Sequence, residues 1–495
     1  MALSLSSGAR CLHERRLGRT VTGFVHKVAA LALCLVACFV VVTRAQAQQA
    51  HETGQSTLTA TAADVHEGSF SFGSYGRVSA ATNLRGGTGR DADIVSRGSR
   101  IDEGTYAELE LRRDDRWGEI SSHIVSTLAV AGPLFHFNGD FAVQMAVRNL
   151  YGEVQNVFAK DLSFWAGSRM VRGDDIYLLD YWALDNLNLY GGGARYFFAD
   201  RVELALHVGL ARPNNPFYTQ TVETTPAMGF TPASVLLLDR PRFVVGDKAT
   251  FWLWNRGLPQ GVKLVFYNEV HAISSGERQT DSGATQALPS DTGYVLGAQA
   301  GAYNSTTRSF ANIFLRYAQG LAAYDPLGIP FGVGAVISTS RARELRVGFS
   351  ANWELGAFGV QAGGLLRYFR DADPNVYARG SMTEAVLDVR PMVWFGNHAG
   401  LALDLSFQHR ETSILDETTG APEAGNAWKL GVIPFISPAG RGTYTRPQLR
   451  LIYALTARDA GARAMYPALD LRSQQAVEHF FGLGIEWWFN STSYR

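Results

Sequence analysis

Between Phe164 and Trp182 the chain reads FWAGSRMVRGDDIYLLDYW, which sets charges of both signs among aromatic rings. Arg169, Arg172, Asp174, Asp175 and Asp180 alternate with Tyr177, Tyr181 and Trp182. The segment starts as a strand and becomes too charged to continue as one. Folded into a pore, such a loop would narrow it and select solutes by hydrogen bonding; on an outer surface it would be a salt-bridged loop. Rings also sit beside ions elsewhere. If Ser69 to Ser79 is a strand, alternation puts Phe70, Phe72 and Val78 on one face and Tyr75 and Arg77 on the other, with Ser69, Ser71 and Ser79. Tyr106, Glu108, Glu110 and Arg112 likewise oppose Ala107, Leu109 and Leu111. A ring among ions on a wet face is poor core material. It suits a surface that handles something amphipathic, such as a sugar.

Other chemistries lack their parts. Histidines are scattered without metal spacing such as HExxH. No serine sits in a nucleophile elbow. Asp371, Asp373 and Asn375 imitate the start of a calcium loop, but Val376 stands where glycine is needed and Met382 where glutamate is needed. Gly191 to Gly193 make no phosphate cradle. Asp174 and Asp175 could serve a glycosidase, yet adjacent residues on a strand point to opposite faces. No cofactor is expected.

The elements that would position these residues are strands. The alternating segments include Tyr106 to Leu111, Val202 to Leu210, Leu264 to Val270, Tyr294 to Ala302, Asn312 to Ala318, Leu345 to Trp353, Val360 to Phe369, Leu401 to Phe407, Leu449 to Leu455 and Phe480 to Phe489. Glycine is abundant (51) and proline sparse (17), which fits many strands and turns. At about 25 residues per strand and loop, the chain past its leader holds roughly 16 to 18 strands. Arg316 and Arg450 fall in mid-strand on the polar face. At a lipid midplane each would cost about 2–4 kcal/mol, so both should point inward. Glu486-Trp487-Trp488-Phe489 reads as an interfacial girdle closing the last strand.

The first residues point to export. Arg10, Arg15, Arg16, Arg19 and Lys27 precede an apolar run from Val28 to Val42, too short and too early for a spanning helix. Ala45-Gln46-Ala47 fits a signal-peptidase site, so residues 1–47 are expected to be a signal peptide. Leu35-Val36-Ala37-Cys38 also resembles a lipoprotein box, though another apolar stretch follows it directly. Cleavage at Ala47 removes six of 45 basic and one of 45 acidic residues, leaving 39 against 44 and a formal charge of −5. A nucleic-acid partner then has no electrostatic support. Cys11, Cys34 and Cys38 all lie in the presequence, which excludes disulfides from the remainder. Residues 48–67 read as a flexible polar leader, 68–489 as the barrel and 490–495 as a short tail.

These pieces carry a family resemblance. Phe164 to Trp182 is similar to the third-loop region of maltoporins, the sugar-specific porins of bacterial outer membranes. SYGRVSA at Ser74 to Ala80 resembles that family's first strand, TYAELEL at Thr105 to Leu111 its second, and RNLYGEVQNVF at Arg148 to Phe158 the strand leading to the third loop. SFANIFLRYA at Ser309 to Ala318, VRPM at Val389 to Met392, TRPQLRLIYA at Thr445 to Ala454 and the IEWW end follow in order. The resemblance implies an all-β fold: an antiparallel transmembrane β-barrel of about 18 strands, trimeric, in outer-membrane lipid, with its third loop folded inward. It implies an aromatic slide for oligosaccharides through Tyr75, Tyr106, Phe310, Tyr444 and Trp488, with Trp182 replacing a tyrosine at the constriction. It implies a hydrogen-bonding track through Arg77, Arg100, Glu108, Arg148, Asp175 and Asp180.

Period two agrees with the slide: Phe310 shares a face with Asn312 and Arg316, Tyr444 with Arg446, Gln448 and Arg450, and Trp488 with Glu486. Departures are visible too. Ala131 to Gly139 lacks the tryptophan expected of the second loop and offers Phe135 and Phe137. The first-loop cysteine pair is missing, and Gly173 stands where an arginine is expected. The reading is a passive sugar channel in the bacterial outer membrane. Its rivals are a porin of the same fold for another solute, a barrel enzyme and a plugged structural barrel.

Overall fold

A computed structural model describes residues 66–132, 144–211, 220–224, 233–237, 240–279, 284–324, 338–372, 380–415, 420 and 422–492; of 220–224, 233–237 and 278–279 only the backbone is described. The expected signal peptide, nearly all of the leader, Phe135, Phe137, Asp373, Asn375 and Val376 lie outside the described residues. Two compact units divide the chain. Met1–Val65 with Val157–Lys160 form one, almost wholly outside the described residues; His66–Asn156 with Asp161–Arg495 form the other, which contains the barrel.

Eighteen strands among the described residues form one closed antiparallel sheet in which each strand pairs with its neighbours in sequence. The first strand, His66–Thr82, also pairs with the last, Val477–Phe489, with Tyr75 opposite Trp488 and Thr82 opposite Phe481. Closure leaves no open edge, the condition for a sheet to cross lipid. The first strand begins at His66, two residues before the boundary read from the sequence. Two short hairpins, Gln220–Thr224 with Ala233–Leu237 and Gly276–Gln279 with Thr285–Leu288, belong to loops. No helix among the described residues is long and apolar enough to cross a membrane.

Burial along the strands is inverted relative to a soluble sheet. In Arg343–Leu355, Glu344, Arg346 and Ser350 are buried while Leu345, Val347 and Phe349 are exposed. In Ser381–Phe395, Asp388 and Arg390 are buried and Leu387 is exposed. Apolar side chains that face outward together, and ions that face inward together, are what a lipid exterior and a polar lumen require. Arg316 points inward, as expected, and donates to Glu344 at 3.2 Å. Arg450 does the same toward Glu486 at 2.5 Å. Leu315, next to Arg316 on the same strand, is exposed on the outer face. Leu315→Arg, near mid-strand, is therefore expected to destabilise the barrel by about 2–4 kcal/mol in urea unfolding from lipid vesicles, with Asn312→Arg on the inner face costing less.

One end of the barrel has short turns, such as residues 118–119, 356–357 and 396–398; the other carries long loops, such as 83–105 and 459–476. By the usual asymmetry the short turns are periplasmic. Among the described residues, three segments fold inward. The loop at 173–185 crosses the lumen, as the sequence led us to expect. The first loop, 83–105, was not anticipated to do so. Ser99 donates to Asp404 (2.9 Å), and Lys429 donates to Asp102 (2.7 Å) and Asp93 (2.8 Å). Gly431 makes room for it, since a Cβ there would lie 2.0 Å from Ile101 Cδ1. The tail beyond Phe489 also turns in: Thr492 donates its backbone N–H (2.9 Å) and hydroxyl (2.7 Å) to Glu110.

Candidate functional site

The strand Leu162–Arg172 delivers the loop that narrows the lumen. It ends where Gly173 N–H donates to the Asp185 carboxylate at 2.8 Å, and Lys248 donates to the same carboxylate at 2.7 Å. A Cβ at Gly173 would sit 2.8 Å from an Asp185 oxygen. The glycine that replaces an expected arginine is thus what lets the loop close on itself. Beyond it, Ile176 and Tyr181 form an isolated bridge around the turn Tyr177–Leu179. Asp180 ends that turn in the left-handed region (φ 46°), a conformation its short polar side chain tolerates. Ile176, Leu178, Leu179 and Leu184 are all buried.

Polar contacts hold the loop to widely separated strands. Tyr177 donates its hydroxyl to Glu486 at 2.8 Å. Asp180 accepts from Arg77 at 3.3 Å. Tyr181 accepts from Arg346. Asp174 accepts from Gln299 (2.5 Å) and pairs with Lys263 (2.6 Å). This loop bridges the first and last strands to the opposite wall, so it divides the lumen.

On one side of it runs a line of rings. Phe310 lies 5.9 Å from Tyr444, and Tyr444 lies 6.3 Å from Trp488, between ring centroids. Trp488 is the register partner of Tyr75, whose ring lies 6.0 Å from Tyr106. All five expected slide residues therefore face the lumen and follow one another. Tyr444 reaches the line differently from the way the sequence suggested. It precedes the strand Gln448–Arg458 and sits on the connecting turn, which is held by Thr443 donating to Asn352 (2.7 Å) and Glu354 (2.9 Å). Tyr177 joins the line from the loop, 5.1 Å from Tyr444 and 6.0 Å from Trp488.

Charged groups flank the rings. Glu486 accepts from Arg446 (2.7 Å), Arg450 (2.5 Å) and Tyr177, and pairs with Arg100 (3.2 Å). Tyr75 hydroxyl accepts from Arg100 (2.5 Å) and Arg77 (2.9 Å). Tyr106 donates to Glu108 and accepts from Arg148, which also pairs with Glu108 at 3.2 Å. Of the expected residues, Tyr106, Phe310, Tyr444, Trp488, Arg77, Arg148, Asp175 and Asp180 are half-buried. Tyr75 is fully covered, and Glu108 and Arg100 are almost so. These three act as supports beneath the line rather than as its surface. Trp182 is 6% exposed and lies under the Arg172 guanidinium, 3.8 Å from ring centroid to Cζ.

The loop carboxyls are unequal. Burial pushes Asp175 up to about 7, against the pull of Arg100 and with help from Asp180 and Asp174. Burial likewise raises Glu103 to about 7, although Arg100 opposes it. Asp180 also feels burial, but Arg100, Arg77 and Arg172 hold it below the usual carboxylate range. Asp175 and Glu103 are thus mostly neutral a unit below about 7 and mostly charged a unit above it. Raising the pH from about 6 to about 8 is expected to increase cation over anion permeability, read as reversal potential in a salt gradient. Asp175→Asn should flatten that rise.

Asp91, Asp93 and Asp102 come together in the first loop with the geometry of a cation site. The Lys429 ammonium serves as the cation for Asp93 and Asp102.

A family model described as LamB porin matches residues 70–489. No curated protein matches the chain. Solved structures that resemble it include the outer membrane channel DcaP of Acinetobacter baumannii, 9% identical over 85% of this chain and 97% of that one, with a TM-score of 0.45. OpdK of Pseudomonas aeruginosa, crystallised with vanillate, is 11% identical over 86% of this chain and 98% of its own, with a TM-score of 0.41. OmpT of Vibrio cholerae, in a trimer form, is 12% identical over 86% and 100%, with a TM-score of 0.38.

Proposed function

The chain belongs to the LamB porin family, and from that premise we propose that this outer-membrane channel passes sugars of the maltose and maltodextrin kind by facilitated diffusion. Family membership speaks for a passive pore in place of a catalyst. The observation that carries the sugar reading is the ring sequence Phe310, Tyr444, Trp488, Tyr75 and Tyr106 beside a track of arginines and carboxylates. A pyranose has two apolar faces and a rim of hydroxyls. Its faces lie on rings, and its hydroxyls exchange water for Arg77, Arg148, Asp175 and Asp180. Successive weak sites suit conduction, because a single tight one would retain the solute. Oligosaccharides are the solute, outer-membrane lipid the surround and a homotrimer the assembly in this reading.

The test is single-channel conductance in a planar bilayer, titrated with maltose, maltotriose and maltohexaose. Saturable block that strengthens with chain length is the expected result. Ion current that no sugar reduces would leave the porin and remove the sugar, favouring another small solute for the same barrel.

A further inference from the structure

On three neighbouring strands that contribute no residue to the ring line, one residue from each forms a row. Trp165 is the register partner of Gly193, and Gly193 of His207. The glycine lets the two flanking rings approach to 6.0 Å between centroids. A Cβ at Gly193 would lie 2.4 Å from Trp165 Nε1, so the indole N–H rests directly over the glycine. Trp165 is 5% and His207 6% exposed, yet neither Trp165 Nε1 nor either ring nitrogen of His207 has a hydrogen-bond partner among the described residues. Buried donors and acceptors of native proteins are almost always satisfied, by protein, water or ligand. Trp165 and His207 are both among the residues lining a cavity of about 510 Å³, large enough for a monosaccharide.

The charges lining this cavity are unbalanced: Arg112, Arg169, Arg172, Arg195 and Lys248 outnumber Asp114, Glu153 and Glu203, although Lys248 is paired with Asp185. Arg169 and Arg195 share a single carboxylate, Glu153, at 2.8 and 3.1 Å. The charges that bear on the His207 ring are those of Lys248, Arg169 and Arg195, all positive. Arg169 lies over the Tyr151 ring at 4.4 Å and the Trp165 ring at 5.4 Å. An indole N–H, an imidazole N–H and a surplus of guanidinium charge favour an anionic group. The adjoining Tyr151 and Trp165 rings favour an apolar sugar face.

We propose that the Trp165–Gly193–His207 row is a second solute site, which binds the carboxylate or phosphate of an acidic sugar. It goes beyond the neutral-sugar reading and stands apart from the ring line, so either can fail alone. The test is calorimetric titration of the intact barrel in detergent with glucuronate, glucose 6-phosphate, glucose and inorganic phosphate. Both acidic sugars are expected to bind about tenfold tighter than glucose, the worth of about 1.4 kcal/mol, and tighter than inorganic phosphate. The stronger of the two identifies the preferred anion. W165F/H207F should erase that preference and leave maltotriose block of the ion current unchanged. Should that variant fail to fold, Arg195→Gln, on the part-exposed rim of the cavity, should weaken the acidic sugars several-fold and spare glucose. Equal binding of glucose and both acids overturns the proposal, as does inorganic phosphate binding as tightly as the sugars. Loss of maltotriose block in parallel with loss of acid binding would also overturn it.

Discussion

Glu486→Gln is expected to enlarge the pore and destabilise the barrel at once. One carboxylate, 2% exposed, takes Arg446, Arg450, Arg100 and the hydroxyl of Tyr177. Removing its charge leaves Arg446 and Arg100, both buried, without their shared counter-ion. Breaking one side of a buried ion network typically costs about 3–5 kcal/mol, because the surviving charges remain desolvated. Three arginines cannot stay together, and two of them touch the loop: Arg100 stacks on Tyr177 at 4.5 Å, and Arg446 lies 5.6 Å from the same ring. The expected readouts are a lower urea midpoint in lipid vesicles and a larger, noisier single-channel conductance. Tyr177→Phe separates the two effects. It keeps the carboxylate with its arginines and removes only the hydroxyl that donates to Glu486 and accepts from Arg446, at about 1.5–3 kcal/mol. Conductance should rise in Tyr177→Phe with a smaller fall in midpoint than in Glu486→Gln. An unchanged conductance in both variants would mean that the remaining tethers, Asp180 to Arg77, Tyr181 to Arg346, Asp174 to Lys263 and Asp185 to Lys248, hold the loop by themselves.

The strands were legible because lipid outside and ions inside impose a period of two, and that period survives in the sequence. All ten segments read from alternation lie within observed strands, although their ends fell short. Tyr106 to Leu111 lies within Tyr106–Trp117, and Leu401 to Phe407 within Ala399–Leu415. Beyond those ends the strands leave the apolar layer, so polar residues appear on both faces and alternation fades. Asn186–Phe198 was missed for another reason: Gly191, Gly192 and Gly193 carry no side chain to alternate. The inward fold of the first loop was illegible in principle. It depends on Ser99 meeting Asp404 and Lys429 meeting Asp102, contacts between residues remote in sequence that no local pattern encodes. Tyr177 was read among the rings of the charged loop with Tyr181 and Trp182, but not as a member of the slide. Its signal was the charged composition of the segment as a whole, Asp174 to Tyr181. Tyr75 shows the converse. Period two put it on the correct face, but face does not fix depth, and Arg100 and the loops cover it entirely.

That difference in depth determines which rings are expected to matter to a sugar. Phe310 and Tyr444 keep part of their surface in the lumen, so Phe310→Ala and Tyr444→Ala should each weaken maltotriose block by about 1–2 kcal/mol, or roughly tenfold in Kd. Phe310 is the cleaner test. It has no polar handle, so its loss removes ring area alone, and Asn312 on the same face keeps its bonds with Gln299 (3.1 Å) and Ser350 (3.5 Å). Phe310→Leu should recover part of the affinity if area matters and little if the flat π-face does, since an aliphatic side chain cannot stack on the axial hydrogens of a pyranose in the same way. The effect should grow with chain length, because a longer oligosaccharide spans Phe310, Tyr444 and Trp488 together and loses a central support. Tyr75→Phe gives the contrast: its ring is covered, so its change should alter stability through Arg100 and Arg77 and leave sugar block nearly intact. Should Tyr75→Phe weaken block as much as Phe310→Ala, sugars would be reaching a hydroxyl that this loop arrangement covers, and the loops would have to move aside for every transit.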